Sequence, residues 1–176
     1  IAGNDFKVNV LLPPGASPAD FTLVPSQIKD ITRSKVWFRI GHIGFEYSWK
    51  DKIQQTNKDM EVIDLSEGLD LIRDETLPSG YKSSTAGINP HTWMSPALVK
   101  QMAVRITEEL SSLNPDKKST YNENYLRFVK KIEELDNKIA NDLNAYQGKQ
   151  FIMFHPSLSY FARDYGLIQY SLEPGG

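Results

Sequence analysis

The sequence predicts an α/β protein of two lobes, each a parallel sheet flanked by helices, joined by one long helix. Three observations carry that expectation. Short β-branched runs alternate with helically spaced segments up to residue 65. The same alternation resumes after residue 149, and strands linked through helices pair in parallel by right-handed crossovers. Between the two regions, Tyr121, Tyr125, Phe128, Ile132, Leu135, Ile139 and Leu143 recur at spacings of three and four, the trace of a single helix. About 27 residues at 1.5 Å each reach roughly 40 Å, more than a small domain is wide. Such a helix must cross a two-lobed protein or join a coiled coil. The stripe falls short of four heptads, which ranks the coiled coil second. The expected division is 1–112 for the first lobe, 113–148 for the connecting helix and 149–176 for the start of the second lobe.

In chain order, Phe6 to Leu12 (FKVNVLL) reads as a buried strand ended by Pro13-Pro14. The run Pro13-Pro14-Gly15-Ala16-Ser17-Pro18 is a loop. Pro25 and Ser26 open a short helix with Ile28 and Ile31 on one side. Lys35 to Ile40 is a second strand, left by the turn Gly41-His42-Ile43-Gly44. A helix from about Phe45 to Gln55 places Phe45, Trp49 and Ile53 on one face. Met60 to Leu65 is a third strand, and residues 66–90 are a polar connector. Ser95 and Pro96 suit the N-cap and first position of a helix ending at Asn114-Pro115, with Leu98, Met102, Ile106 and Leu110 on its stripe. Thr120-Tyr121-Asn122-Glu123 is a capping box for the long helix, which Gln147-Gly148 closes. Gln150 to Phe154, a helix from Ser157 to Asp164, and Leu167 to Leu172 make the second strand–helix–strand unit.

Composition narrows the chemistry. A chain of 176 residues with 40% apolar and 24% charged residues is an ordinary globular sequence. Its net charge of −2 offers nothing to nucleic acid. No apolar run approaches the ~20 residues of a membrane-spanning helix. With no cysteine, disulfides, thiolate metal sites and cysteine nucleophiles are excluded. Ile1 to Asp5 reads as a helix end with its glycine stop, and Glu173-Pro174-Gly175-Gly176 follows directly on a strand. The chain is therefore expected to be cut at both ends, its first lobe lacking an opening strand and helix.

The three histidines carry the functional signal. His42 lies just past the second strand and His155 just past the fourth, while His91 sits in Asn89-Pro90-His91-Thr92-Trp93-Met94-Ser95-Pro96, a stiff loop entering a helix. Ligands of open parallel sheets bind outside the carboxyl ends of strands. Imidazoles from separate loops suit zinc or a similar divalent ion, with carboxylate or water completing the shell. Each histidine, taken alone, also reads as a turn residue packed on its neighbours, His91 on Trp93.

Four segments resemble the solute-binding proteins of ABC transporters that deliver zinc or manganese to bacterial importers. They are Leu12 to Pro18 with Phe21 and Pro25, Gly41 to Glu46, Asn89 to Pro96, and Phe154-His155-Pro156 with Tyr160-Phe161 and Tyr165-Gly166-Leu167. The resemblance implies a two-lobed receptor with little hinge motion that holds one divalent ion between its lobes. It also implies an ABC permease as partner, an extracytoplasmic or periplasmic location with a possible lipid anchor, and no enzymatic activity. It places metal ligands at His91 and His155. A histidine rather than a glutamate at the latter favours zinc, with manganese the alternative.

Where the family carries its first histidine ligand, this chain has Ala19, and Val24 replaces the threonine that would cap the next helix. His42 is the candidate substitute ligand, and Asp20 or Glu46 the candidate carboxylates. The family's last carboxylate would lie beyond residue 176, and its histidine-rich loop would fall in 74–89, which holds no histidine. A non-metal interaction protein on the same scaffold is the second reading, and a metal-dependent hydrolase the third.

Overall fold

The computed structural model describes residues 1–17, 21–73 and 87–172; Ala19, Asp20, residues 74–86 of the connector and the last four residues lie outside these. In chain order the elements are α1 (Pro25–Ile31), β1 (Val36–Arg39), α2 (Gly44–Thr56), β2 (Glu61–Asp64), α3 (Pro96–Leu113), α4 (Lys118–Leu143), β3 (Gln150–Met153), α5 (Ser159–Asp164) and β4 (Ile168–Ser171). They form two small parallel sheets, each from one strand–helix–strand unit. β1 pairs with β2 from Val36 opposite Glu61 to Arg39 opposite Asp64. β3 pairs with β4 from Gln150 opposite Ile168 to Met153 opposite Ser171. The helices α3 and α4 lie between the sheets in sequence and pack on each other.

The first lobe is held by Leu23, Ile31, Phe45, Ile53 and Met60, with Phe21, Trp37, Trp49 and Val62 packed around them. This is the apolar face expected of α2, closed over α1 and the sheet. Two polar side chains fix its loops: Trp49 Nε1 donates to Phe21 O at 3.1 Å, and Asn57 Nδ2 donates to Ile31 O and Ser34 O. Val24 caps α1 with no side-chain bond of its own. Half of a capping box survives, because Gln27 Oε1 accepts the Val24 N–H while its Nε2 donates to Leu11 O.

α4 has 26 residues, about 39 Å at 1.5 Å per residue. Tyr121 is its one fully buried side chain. Near its start, Tyr121 OH donates to Asp5 and Asn124 Nδ2 to Ile1 O; further along, Asp136 accepts from Tyr165 OH at 2.8 Å. The helix is thus tied to residues 1–5 near its start and to Tyr165 beyond its middle, where Asp136 also faces Lys100 of α3 at 3.7 Å.

Two expectations are corrected. Phe6 to Leu12 is not a strand: Val8 and Val10 are 79% and 66% exposed, and no ladder among the described residues includes them. A strand exists only where a neighbour takes its backbone bonds. Across from this segment the edge of β1 is separated from it by an apolar cavity of about 1000 Å³, lined by Phe6, Val8 and Leu11 on one side and by Val36, Trp37 and Met102 on others. At Gly3 the backbone is left-handed, φ 60°, and Asp5 N–H donates to Ala2 O at 3.2 Å, the turn expected of a glycine stop. The long helix starts at Lys118, two residues before the expected cap, because a 3-10 turn over Pro115–Lys117 runs straight into it. Thr120 lies inside the first turn instead of before it.

Candidate metal site

His91 is placed by its neighbours on both sides in sequence. Before it, the bridge between Arg73 and Ile88 closes the connector, and Pro90 stiffens the backbone. After it, a 3-10 turn over Thr92–Met94 leads to Ser95, whose hydroxyl accepts the Leu98 N–H at 3.1 Å as the N-cap of α3 and donates to Asp164. Ser95 is fully buried, so the start of α3 is pinned to the end of α5.

The ring of His91 is oriented by Asn89. Asn89 Oδ1 lies 3.0 Å from the His91 backbone nitrogen and 2.8 Å from ring Nδ1. The backbone contact is an Asx turn, in which a short amide side chain mimics a peptide carbonyl. Asn89 Nδ2 is committed elsewhere, donating to Pro156 O at 2.9 Å and to Ser159 Oγ at 3.2 Å. The amide can satisfy all four contacts in one orientation only, with its oxygen toward His91. An oxygen acceptor at Nδ1 requires the ring proton there, which leaves the lone pair on Nε2.

His155 follows β3 and meets His91, which lies 64 residues earlier on the loop entering α3. The two Nε2 atoms are 3.0 Å apart, with ring centroids 4.8 Å apart and planes at 76°. The Trp93 ring lies 5.1 Å from the His91 ring, so the packing role expected of it is also present. Burial, with the nearby His155 imidazole acting in the same sense, pushes His91 down to a pKa of about 4. His91 is therefore neutral near pH 7, as a metal ligand must be.

Two imidazole nitrogens this close share a single proton: His155 donates its Nε2–H to the bare His91 Nε2. A tetrahedral zinc with Zn–N bonds of 2.0–2.1 Å needs its two nitrogens about 3.3–3.4 Å apart. The observed gap is shorter by a few tenths of an ångström, a change that small side-chain rotations supply. Replacing the proton by an ion would also require His155 to move its proton to Nδ1.

His42 stands apart from this pair. It follows Gly41 in a left-handed turn, with φ of 78° at Gly41 and 58° at His42. A side chain at Gly41 would run into Asp64 and Ser66, which explains the glycine. His42 Nδ1 is 2.9 Å from Tyr47 OH, and burial lowers its pKa while the Asp64 carboxylate acts in the opposite sense. Among the described residues, no group of three or more His, Cys, Asp or Glu side chains is arranged to hold an ion. Glu46, a candidate carboxylate, is buried and already committed: its oxygens accept the N–H groups of Ile40 and Gly41 at 2.8 and 2.7 Å and face Arg39. Arg39 in turn pairs with Asp64 at 3.1 Å. This trio, with Arg39 and Glu46 buried and Asp64 partly exposed, shapes the turn that bears His42, and sequence reading missed it because its members lie on three different elements. Ala19 and Asp20 lie outside the described residues.

Known proteins share this arrangement of chain. The model of the family described as zinc-uptake complex component A, periplasmic, matches residues 1–175. A putative metal-binding protein of Chlamydia trachomatis serovar D is 28% identical over 173 residues, covering 98% of this chain and 59% of the relative. The high-affinity zinc uptake system protein ZnuA of Yersinia pestis is 29% identical over 186 residues, covering 95% of this chain and 58% of the relative. Among solved structures, a zinc-bound ZnuA lacking residues 138–173 of its own numbering superposes with a TM-score of 0.87 at 34% identity, covering 98% of this chain and 64% of that one. The chain thus spans less than two thirds of the length of each of these proteins.

Proposed function

Given that the chain belongs to the zinc-uptake complex component A family, we propose that it is the metal-capturing part of an extracytoplasmic receptor that hands zinc to an ABC importer. His91 and His155 are its ligands on this reading. The observation that carries it is the approach of their Nε2 atoms to 3.0 Å from two loops far apart in sequence. Nitrogen donors favour zinc over manganese, which prefers oxygen-rich shells. Zinc is then cargo rather than a resident cofactor, and no chemistry is performed on it. His42, turned to Tyr47, is left out of the shell. The lobe bounds 1–112, 113–148 and 149–176, the permease as partner, manganese as an alternative cargo and a lipid anchor all belong to the same proposal.

Equilibrium dialysis of the metal-stripped protein against zinc, with manganese in parallel, tests it. The expected result is about one zinc per chain, as a single site shared by two lobes requires, with uptake lost in His91→Ala and in His155→Ala. Failure of the unmodified chain to take up micromolar zinc, or uptake that survives both substitutions, would overturn it.

A further inference from the structure

We propose that Asn89 is a positioning residue that couples the two ligand loops: through one amide it sets the tautomer of His91 and tethers the loop that carries His155. Its oxygen receives both the backbone and the ring N–H of His91. Its nitrogen reaches Pro156 O, next in sequence to His155, and Ser159 Oγ. Its backbone oxygen accepts from Tyr160 OH at 2.7 Å, and the same hydroxyl accepts the Ile72 N–H at 3.1 Å. The residue is 9% exposed, so water cannot readily replace these partners.

The division of labour within the amide is what makes Asn89 specific. An oxygen alone would hold the His91 proton on Nδ1 and leave the second loop unattached. A nitrogen alone would do the reverse, and would present a donor to a ring nitrogen that then had to accept. Asparagine supplies one of each at the fixed separation of a planar amide. The two loops are thereby joined directly, by a path that does not pass through α4. The affinity part of this inference rests on His91 and His155 being the zinc ligands; the tautomer part stands without zinc.

Two substitutions separate the roles. Asn89→Asp keeps an oxygen toward His91 and loses the donor toward Pro156 O. Asn89→Leu fills a similar volume and loses both. Long-range 15N–1H correlation spectra of the histidine side chains, recorded on metal-free protein near neutral pH, report which ring nitrogen carries the proton. The unmodified chain and Asn89→Asp are expected to show His91 protonated on Nδ1, and Asn89→Leu a mixture of both tautomers. Zinc affinity, read by competition with a chromophoric chelator, is expected to fall roughly 10–100-fold in Asn89→Leu, the usual cost of removing an outer-shell partner, and to fall less in Asn89→Asp.

A His91 proton on Nε2 in the unmodified chain, or spectra unchanged in Asn89→Leu, would overturn the proposal. So would a lowered melting temperature in Asn89→Leu with both tautomer and zinc affinity preserved, which marks a merely structural residue. Absence of zinc binding in every variant would count against the receptor reading while the tautomer spectra still decide the role of Asn89.

Discussion

Tyr160→Phe removes one oxygen atom from the contact of α5 with Ile72 and Asn89. Tyr160 has no exposed surface, and its hydroxyl donates to Asn89 O and accepts from Ile72 N–H. Phenylalanine keeps the ring, and with it the stacking of the Arg163 guanidinium 5.1 Å from the centroid. The change therefore isolates two hydrogen bonds. Asn89 O is left buried with no replacement donor, at the ~1–3 kcal/mol that an unsatisfied buried group costs, whereas the half-buried Ile72 N–H can recruit water and falls at the low end. The expected loss is about 2–3 kcal/mol, which for a chain of this size lowers Tm by roughly 4–12 °C. Urea unfolding followed by circular dichroism measures it directly, with the slope expected to stay constant because little surface changes. A loss below about 0.5 kcal/mol would refute the reasoning, since it would place both backbone groups in contact with solvent.

Other expectations follow from the same contacts. Ser95→Ala should cost about 1–3 kcal/mol, because the buried hydroxyl both caps α3 and binds Asp164; near-neutral unfolding data would contradict it. His91 is held neutral in the fold down to about pH 4 but takes up a proton at its ordinary value of 6.5 when unfolded. Its contribution to stability is therefore present above pH 6.5 and lost as pH falls toward 4. His91→Asn should flatten the stability curve of metal-free protein in that window, and parallel curves would show otherwise. His42→Asn, which tolerates the left-handed backbone, should leave zinc affinity far closer to that of the unmodified chain than the roughly 10–100-fold loss seen when an outer-shell partner goes. A larger loss in the chelator competition would bring His42 into the coordination shell.

What could be read from the chain alone depended on how local its cause was. Ser95-Pro96 fixed the start of α3 to the residue, since an N-cap acts within one turn. The strand–helix–strand units were legible because alternation and helical spacing are properties of short windows, and each observed strand lies inside its expected span. Phe6 to Leu12 was misread for the opposite reason: its pattern is that of a strand, but pairing is decided by an edge elsewhere in the fold. That His91 and His155 could meet was legible from their places beside helix and sheet ends, whereas His42, expected with them, is turned to Tyr47. The amide that orients them was not, because the bond from Asn89 to Pro156 spans 67 residues and no spacing announces it. A hint was present in the Asn-Pro-His order, since asparagine two residues before a loop group often binds its backbone. The Arg39, Glu46 and Asp64 cluster left no such trace.

The uninterrupted run of α4 from Lys118 to Leu143, free of glycine and proline, has a mechanical meaning. Packed along α3 and held by Tyr165 beyond its midpoint, it is a stiff rod between the helix that follows the His91 loop and the strand that precedes the His155 loop. On the proposed function, a rod of this kind presents an opening of set width, and an ion has to suit it. Choice between cations of different radius then becomes a question of tolerance in tenths of an ångström.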